Sequence, residues 1–283
     1  MIVYFKGKFM PKSEVCISPD DRGFLFADGV YEVVCAFDGR FFRGDAHFVR
    51  LARSLEALRI PPPPLDELRS AATSLLARNA LNRDGAKVYI QITRGAVPSR
   101  GHAFPDEPVS PTVFASAVPY TPPLEAWAKG VQAILVHDIR WSRCDIKSLA
   151  LLPNILASQR AKEAGAYDAI FVREGVITEG SHTSVALVFD GCVTTHPLTH
   201  HILGGVTRDV VLELCVEMGL SCEERPVLVE ELNQAAEVML LGTTTGVMPV
   251  GEVDGRQVGD GQPGPLTLEL QRALWRMMAP GRA

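Results

Sequence analysis

Apolar residues recur along this chain with two periods, and the change from one to the other marks its elements. Apolar runs at residues 3–5 and 30–37 predict strands, and the turn Asp38-Gly39 leading into Phe41-Phe42 predicts a hairpin. From Asp45 onward Phe48, Leu51, Leu55 and Leu58 fall at helical spacing, and the four prolines 61–64 end that helix because proline lacks the amide needed to continue it. A second helix is predicted over 65–81 and a strand over 87–93. Prolines then crowd between Pro98 and Pro123, which reads as a loop suited to an active site, an edge strand over 112–118 and a linker. A boundary near Thr121 follows, giving a small α+β domain over 1–120 and a larger domain over 121–283.

The larger domain opens with a predicted strand over 131–138 and a helix whose first turn holds Pro153 and which stops at Gly165. A strand-rich block over 168–195 carries turn signals at Glu174-Gly175 and Asp190-Gly191. A helix over 207–218 stops at Gly219, a shorter one covers 229–236, and a strand over 237–241 follows. This mixture predicts an α/β fold of the α+β kind.

Composition narrows the functional classes. The 283 residues are 47% hydrophobic and 22% charged, which favours a folded, soluble chain over a disordered one. Net charge is -5 with scattered Lys and Arg, so no basic stripe is offered to nucleic acid or to an anionic membrane. No apolar run suits a signal sequence or a membrane span, and a cytoplasmic location is expected. The six cysteines form no CxxC pair and are read as free thiols; Cys144 stands out for its closeness to Lys147.

Of the seven lysines, six lie in segments that read as solvent-facing. Lys147 lies in Cys144-Asp-Ile-Lys-Ser-Leu-Ala-Leu-Leu152, where apolar neighbours can desolvate it toward the free amine that imine chemistry uses. An ordinary lysine at a strand end has the same local pattern. Leu203-Gly-Gly-Val-Thr207 runs into a helix, whose first amides at Val206 and Thr207 form a cup for an anion. Leu241-Gly-Thr-Thr-Thr-Gly246 follows a strand and offers the hydroxyls of Thr243 and Thr244. Each alone reads as a plain turn, and neither matches a nucleotide-binding pattern. Glu179 leaves a strand into a row of hydroxyl residues, while Arg100 and His102 place two cationic donors on a proline-bounded loop, a grip for a carboxylate or an ordinary solvated loop. His196, His200 and His201 lack the spacing and third ligand of a metal site, so no metal is expected.

Taken in order, the blocks Asp21-Arg-Gly-Phe, Asp28-Gly-Val-Tyr-Glu-Val-Val34, His47-Phe-Val-Arg50-Leu, Gln91-Ile-Thr-Arg-Gly95, Arg100-Gly-His-Ala-Phe-Pro105, Asp145-Ile-Lys-Ser-Leu149, Thr178-Glu-Gly180, Ile202-Leu-Gly-Gly-Val-Thr-Arg208 and Gly242-Thr-Thr244 resemble the fold-type IV pyridoxal phosphate enzymes, the class IV aminotransferases. The resemblance covers most of the chain and is strongest to the group acting on D-amino acids. It implies a small N-terminal α+β domain and a larger β-barrel-like domain with helices. It also implies pyridoxal 5'-phosphate on Lys147, Glu179 at the pyridine nitrogen, Arg50, Val206, Thr207 and Thr243 at the phosphate, and Leu203 packed on the ring. Tyr31, Arg100, His102 and Thr244 are implied at the substrate.

The activity implied is transamination between a D-amino acid and a 2-oxo acid such as 2-oxoglutarate, by a homodimer whose carboxylate loop serves the neighbouring subunit. Aminotransferases of branched-chain L-amino acids or (R)-amines, and aminodeoxychorismate lyase, share the lysine and phosphate residues; a non-catalytic phosphate-binding protein is a further alternative. The chain departs from the family pattern at Gly204, at Gly246 where an acidic residue is common, and at Ser99, which lengthens the carboxylate loop.

Overall fold

The computed structural model describes residues 1–280. The chain divides into two compact units, the first made of Met1–Thr121 with Ile146–Ala150, the second of Pro122–Asp145 and the chain from Leu151 onward. Lys147 therefore counts with the first unit, although its place in the sequence put it in the second domain.

In the first unit the elements are β1 (Ile2–Phe5), β2 (Lys8–Pro11), α1 (Arg22–Phe26), β3 (Gly29–Phe37), β4 (Arg40–Phe41), α2 (Gly44–Ala57), α3 (Leu65–Arg78), β5 (Gly85–Thr93) and β6 (Thr112–Pro119). The strands form one antiparallel sheet in the order β2-β1-β6-β5-β3-β4. Alternation along β5 sends Ala86, Val88, Ile90 and Ile92 to one face, where Leu51 and Leu55 of α2 and Leu68, Ala72, Leu75 and Leu76 of α3 complete the core. The strand predicted at 112–118 is not an edge. The chain start folds back and pairs Val3, Tyr4 and Phe5 with Ser116, Ala115 and Phe114, a pairing too distant in sequence for local pattern to reveal. The pattern also misses α1, a single turn capped by the Asp21 side chain, which accepts from the Gly23 amide at 2.8 Å.

The second unit contains α4 (Leu124–Lys129), β7 (Val131–His137), α5 (Leu152–Glu163), β8 (Asp168–Arg173), β9 (Val176–Gly180), β10 (Ser184–Phe189), β11 (Cys192–Thr195), α6 (Val206–Glu217), β12 (Cys222–Glu224), β13 (Val227–Leu228), β14 (Glu237–Gly242), β15 (Gly246–Val253), β16 (Arg256–Gln257) and α7 (Pro265–Met278). Its strands run in the order β12-β11-β10-β14-β15-β7-β8-β9-β13, and the further pairing of Glu179 on β9 with Ser184 on β10 closes β10, β14, β15, β7, β8 and β9 into a barrel-like ring. Ile170, Val185, Leu187, Leu240, Met248 and Val250 belong to its core. Residues 229–234 form a 3₁₀ turn in place of the short helix predicted there, and α4, β15 and α7 have no counterpart in the pattern read above. α7 starts with Pro265 at its first turn, and the Glu237 carboxylate accepts from the amides of Leu266 and Thr267 at 3.0 and 2.7 Å.

A charged cluster is buried between β3 and α2 of the first unit. Glu32 is 1% exposed, and its carboxylate accepts from Arg50 Nε and Nη2 at 2.7 and 2.9 Å and lies 2.9 Å from His47 Nδ1. Burial raises the Glu32 pKa, but the Arg50 charge and the His47 and Arg50 hydrogen bonds outweigh it and hold the carboxyl at about 2. Burial lowers the His47 pKa and Arg50 and Lys147 add to this, against the pull of Glu32. Glu32 thus contributes stability that is present above its ordinary 4.5 and is lost as pH falls through about 2, while the depressed His47 starts its own loss below 6.5. Glu32→Gln leaves Arg50 buried without its counter-charge and is expected to cost about 3–5 kcal/mol near neutral pH. Urea unfolding across pH checks it: the acid limb of the variant flattens between 4.5 and about 2, and a variant as stable as the wild type would contradict the role given to this carboxylate.

Candidate active site

The segment carrying Lys147 is held to β3 by its backbone. The Tyr31 amide donates to the Lys147 carbonyl at 3.0 Å, the Leu149 amide donates to the Gly29 carbonyl at 3.0 Å, and the Ser54 hydroxyl of α2 accepts from the Lys147 amide at 3.3 Å. Gly29 is required here, because a Cβ at that position would lie 2.6 Å from the Ile92 carbonyl oxygen of the paired strand β5, as well as 2.8 Å from Leu149. Ile146 is buried in the core of this unit, which fixes the segment from its other face. The half-buried Lys147 side chain places Nζ 4.4 Å from the centre of the Tyr31 ring. Its surroundings are therefore charged and aromatic as well as apolar, since Lys147 acts electrostatically on both Glu32 and His47. Of the other lysines Lys87 is also half-buried, and the remaining five are exposed. Tyr31 packs on Tyr89 at 5.9 Å, and the Tyr89 hydroxyl donates to Gln91 at 2.6 Å.

Arg50, expected at a phosphate, has its guanidinium plane fixed by the two bonds to Glu32. Sequence reasoning passed over Glu32 and His47, although a Glu at an inward position of an apolar strand is a signal that a partner exists. The structure gives Arg100 and His102 a different setting. Both are exposed, and both bracket Phe26, with the Arg100 guanidinium 5.1 Å and the His102 ring 5.4 Å from the Phe26 ring centre. The buried Arg22 donates to the carbonyls of Gly101 and His102 at 2.7 and 3.1 Å and to Asp28 at 2.8 Å. Asp28 also accepts from Arg94, whose guanidinium stacks on Phe104 at 3.7 Å. The loop is thus built at its root and presents its two cationic side chains outward.

In the second unit, sheet register gathers the remaining candidates at one end of the ring. Glu179 pairs with Ser184, Ser184 with Leu241, and Gly242 with Gly246 across the Thr243-Thr244-Thr245 turn. The Glu179 carboxylate is 6% exposed; one oxygen accepts from the Leu203 amide at 3.0 Å and the other from Arg140 Nη1. Arg140 is itself gripped by Asp138 through Nε at 2.9 Å and Nη2 at 2.8 Å, and Arg173 reaches Asp138 at 3.1 Å. Burial lowers the Arg140 pKa, but the Asp138 hydrogen bond and the Glu179 and Asp138 charges raise it further, and Asp138 is correspondingly lowered against its own burial. Sequence reasoning missed this pair. Its signal was two charges two residues apart at the end of an otherwise apolar strand. The hydroxyl row after Glu179 is structural, because Ser181 and Thr183 donate to the buried Asp168 at 2.5 and 2.8 Å.

Leu203, hydrogen-bonded to Glu179, leads through Gly204 to Gly205 at the N-terminus of α6. No side chain caps this helix, so the amides of Val206 and Thr207 keep their positive end for an anion. A Cβ at Gly205 would lie 2.6 Å from the Ser184 hydroxyl. Gly246 stands where an acidic residue was expected because its φ is +68° and a Cβ would lie 2.6 Å from the Trp127 indole. Cys144 donates to the Trp141 carbonyl at 3.2 Å, and burial pushes its thiol up to about 11. His196 bonds the Pro197 carbonyl at 2.8 Å, and His200 Nδ1 lies 3.3 Å from Asp145.

Comparison with known proteins identifies the family. Residues 29–253 match the family model described as amino-transferase class IV. The chain is 42% identical over 275 residues to D-alanine aminotransferase of Bacillus licheniformis, covering 97% of this chain and 96% of the relative. Among solved structures it resembles the branched-chain amino acid aminotransferase of Escherichia coli, with a TM-score of 0.90 and 27% identity over 98% of this chain and 94% of that one. It also resembles a second branched-chain amino acid aminotransferase, from T.th., solved with pyridoxamine 5'-phosphate, with a TM-score of 0.87 and 25% identity over 98% and 94% of the two chains. With its family model matched over most of its length, and with a lysine, a buried carboxylate and an uncapped helix end in the matched region, the chain belongs to the class IV aminotransferases.

Proposed function

We propose that this enzyme transaminates D-amino acids such as D-alanine with a 2-oxo acid such as 2-oxoglutarate, using pyridoxal 5'-phosphate. The observation that carries the cofactor is Glu179, a buried carboxylate held by Arg140 and the Leu203 amide beside an uncapped helix N-terminus. That combination fits a ring cation bearing a phosphate. The substrate class rests on the full-length likeness to D-alanine aminotransferase.

Pyridoxal phosphate, when bound, supplies a sink for the electron pair left at the substrate Cα. The residues of this chain do the rest. We assign Lys147 as the covalent anchor and, once its amine is released, as the base that carries the Cα proton. Glu179, held in place by Arg140, would face the ring nitrogen and favour its protonated form. Arg50, with its plane set by Glu32, would take the phosphate together with Val206, Thr207 and Thr243; Leu203 would pack on the ring, and Thr244 would serve the substrate. Tyr31, beside Lys147, would meet the α-carboxylate together with Arg100 and His102 from the loop of a second copy of the chain. Once that carboxylate is pinned, one enantiomer presents its hydrogen to the lysine. No helix among the described residues is long and apolar enough to cross a membrane, and we place the enzyme in the cytoplasm.

A second reading, transamination of branched-chain L-amino acids, is favoured by the shape likeness to such enzymes. Initial rates with D-alanine, L-alanine and L-leucine against 2-oxoglutarate separate the two. D-alanine is expected to react fastest; faster turnover of L-leucine establishes the second reading.

We also propose a homodimer in which the loop of Arg100 and His102 serves the neighbouring subunit, because these side chains are exposed and set around Phe26 while Tyr31 is set beside Lys147. Arg100→Ala is expected to lower kcat/KM on D-amino acids by about 10 to 150-fold, the loss of one charged grip. Co-expressed with Lys147→Ala, it should recover about a quarter of the wild-type activity, since half the dimers are mixed and each mixed dimer holds one intact site. No recovery would place the loop in the site of its own chain.

A further inference from the structure

The cysteines of the second unit are distributed in a way the reaction does not use. Cys215 lies in α6, fully buried, and Cys222 opens β12 seven positions later, after the turn at Gly219. The Leu220 amide donates to the Cys215 carbonyl at 2.8 Å, folding the chain back on the end of the helix. Val193 and Cys222 are partners on the parallel pair β11 and β12, so both side chains point to one face. Val193 is fully buried on that face, which is also where Cys215 is buried on α6, and the Cys222 thiol lies near enough to add to burial in raising the Cys215 thiol. Cys192 precedes Val193 and by strand alternation points to the opposite face, although it lies near enough to act electrostatically on both other thiols. Nearer the start of α6, Arg208 pairs with Glu224 of β12 at 2.5 Å. The helix and the strand are therefore tied by one ion pair, and the chain reversal between them brings a buried thiol of α6 and an inward-facing thiol of β12 to the same side.

We propose that Cys215 and Cys222 form a reversible dithiol–disulfide site that is oxidised by low-molecular-weight disulfides. Cys222 is partly exposed and meets the reagent first. Its thiolate attacks one sulfur of the small disulfide, forming a mixed disulfide and expelling one thiolate. Cys215 then attacks the Cys222 sulfur, its proton passing to the second departing thiolate. The balance is one small disulfide reduced to two thiols while two protein thiols become one protein disulfide. Burial pushes the Cys215 thiol up to about 12, which keeps it protonated and out of direct reaction. It can act only on the sulfur beside it. The proposal is independent of which amino acid the enzyme uses.

The test is to incubate the intact cofactor-loaded enzyme with excess oxidised glutathione at pH about 8, near the ordinary thiol range, then alkylate and digest it without reduction. Whatever glutathione the exposed Cys16 takes up, a peptide joining Cys215 to Cys222 should appear, neither of these two should be alkylated, and dithiothreitol should restore both thiols. In Cys215→Ser the glutathione should stay on Cys222, because the resolving thiol is gone. Should that buried substitution impair folding, Cys222→Ser serves instead, and in it Cys215 should remain unmodified. A link from Cys192 to Cys222, a wild type that keeps glutathione on Cys222 while Cys215 is still alkylated, or no loss of either thiol would each overturn the proposal.

Discussion

The second unit depends on a buried chain of charges running from Asp138 through Arg140 to Glu179. Ionised groups out of water are costly unless each is paired and its remaining hydrogen-bonding capacity is used. Asp138 answers that requirement by taking Arg140 through two nitrogens and Arg173 as well, and Arg140 in turn holds Glu179 and reaches the His201 carbonyl. The arrangement holds the Glu179 carboxylate against a buried guanidinium at one end of a barrel-like ring. The Leu203 amide, on the same carboxylate, ties that charge to the segment that enters α6. One network therefore sets both the carboxylate and the approach to the anion cup.

The first unit repeats the logic with different residues. Glu32, Arg50 and His47 satisfy one another between β3 and α2, and the backbone of Tyr31 holds the Lys147 segment one residue away from Glu32. Positions 31 and 32 face opposite sides of the strand, so one strand position binds the cluster while the next offers its ring to the lysine. Arg50 and Glu179 are thus each backed by a charged partner that spends its own hydrogen bonds on holding it. Rotamers locked in this way give a polar site its geometry before substrate arrives.

Much of this was legible in the chain itself, and the parts that were not share a cause. Helical spacing at Phe48, Leu51 and Leu55 located α2 because the period is local. Gly205 before Val206 marked a helix start, and the register of β9, β10 and β14 places it with Glu179. By contrast, β6 read as an edge because nothing near it in sequence shows that β1 returns to cover it. Arg140 and Asp138 went unnoticed for the same reason: a charged pair at a strand end looks solvated until the fold brings Thr178 and Glu179 against it. Lys147 was identified as a residue, yet the unit it packs with was not, because Ile146 and Leu149 find their contacts more than a hundred residues earlier, beside Val30 and Gly29.

The claim at the centre of this account is that the Glu179 carboxylate, not merely its hydrogen-bonding shape, drives the reaction. Glu179→Gln keeps size and shape and removes the charge, so the decisive measurement is kcat of this variant alongside its cofactor content. The account predicts that the cofactor is retained while kcat falls by roughly two or more orders of magnitude, about 3 kcal/mol of barrier. A variant that loses its cofactor yet turns over at the wild-type rate when saturated with it would contradict the account.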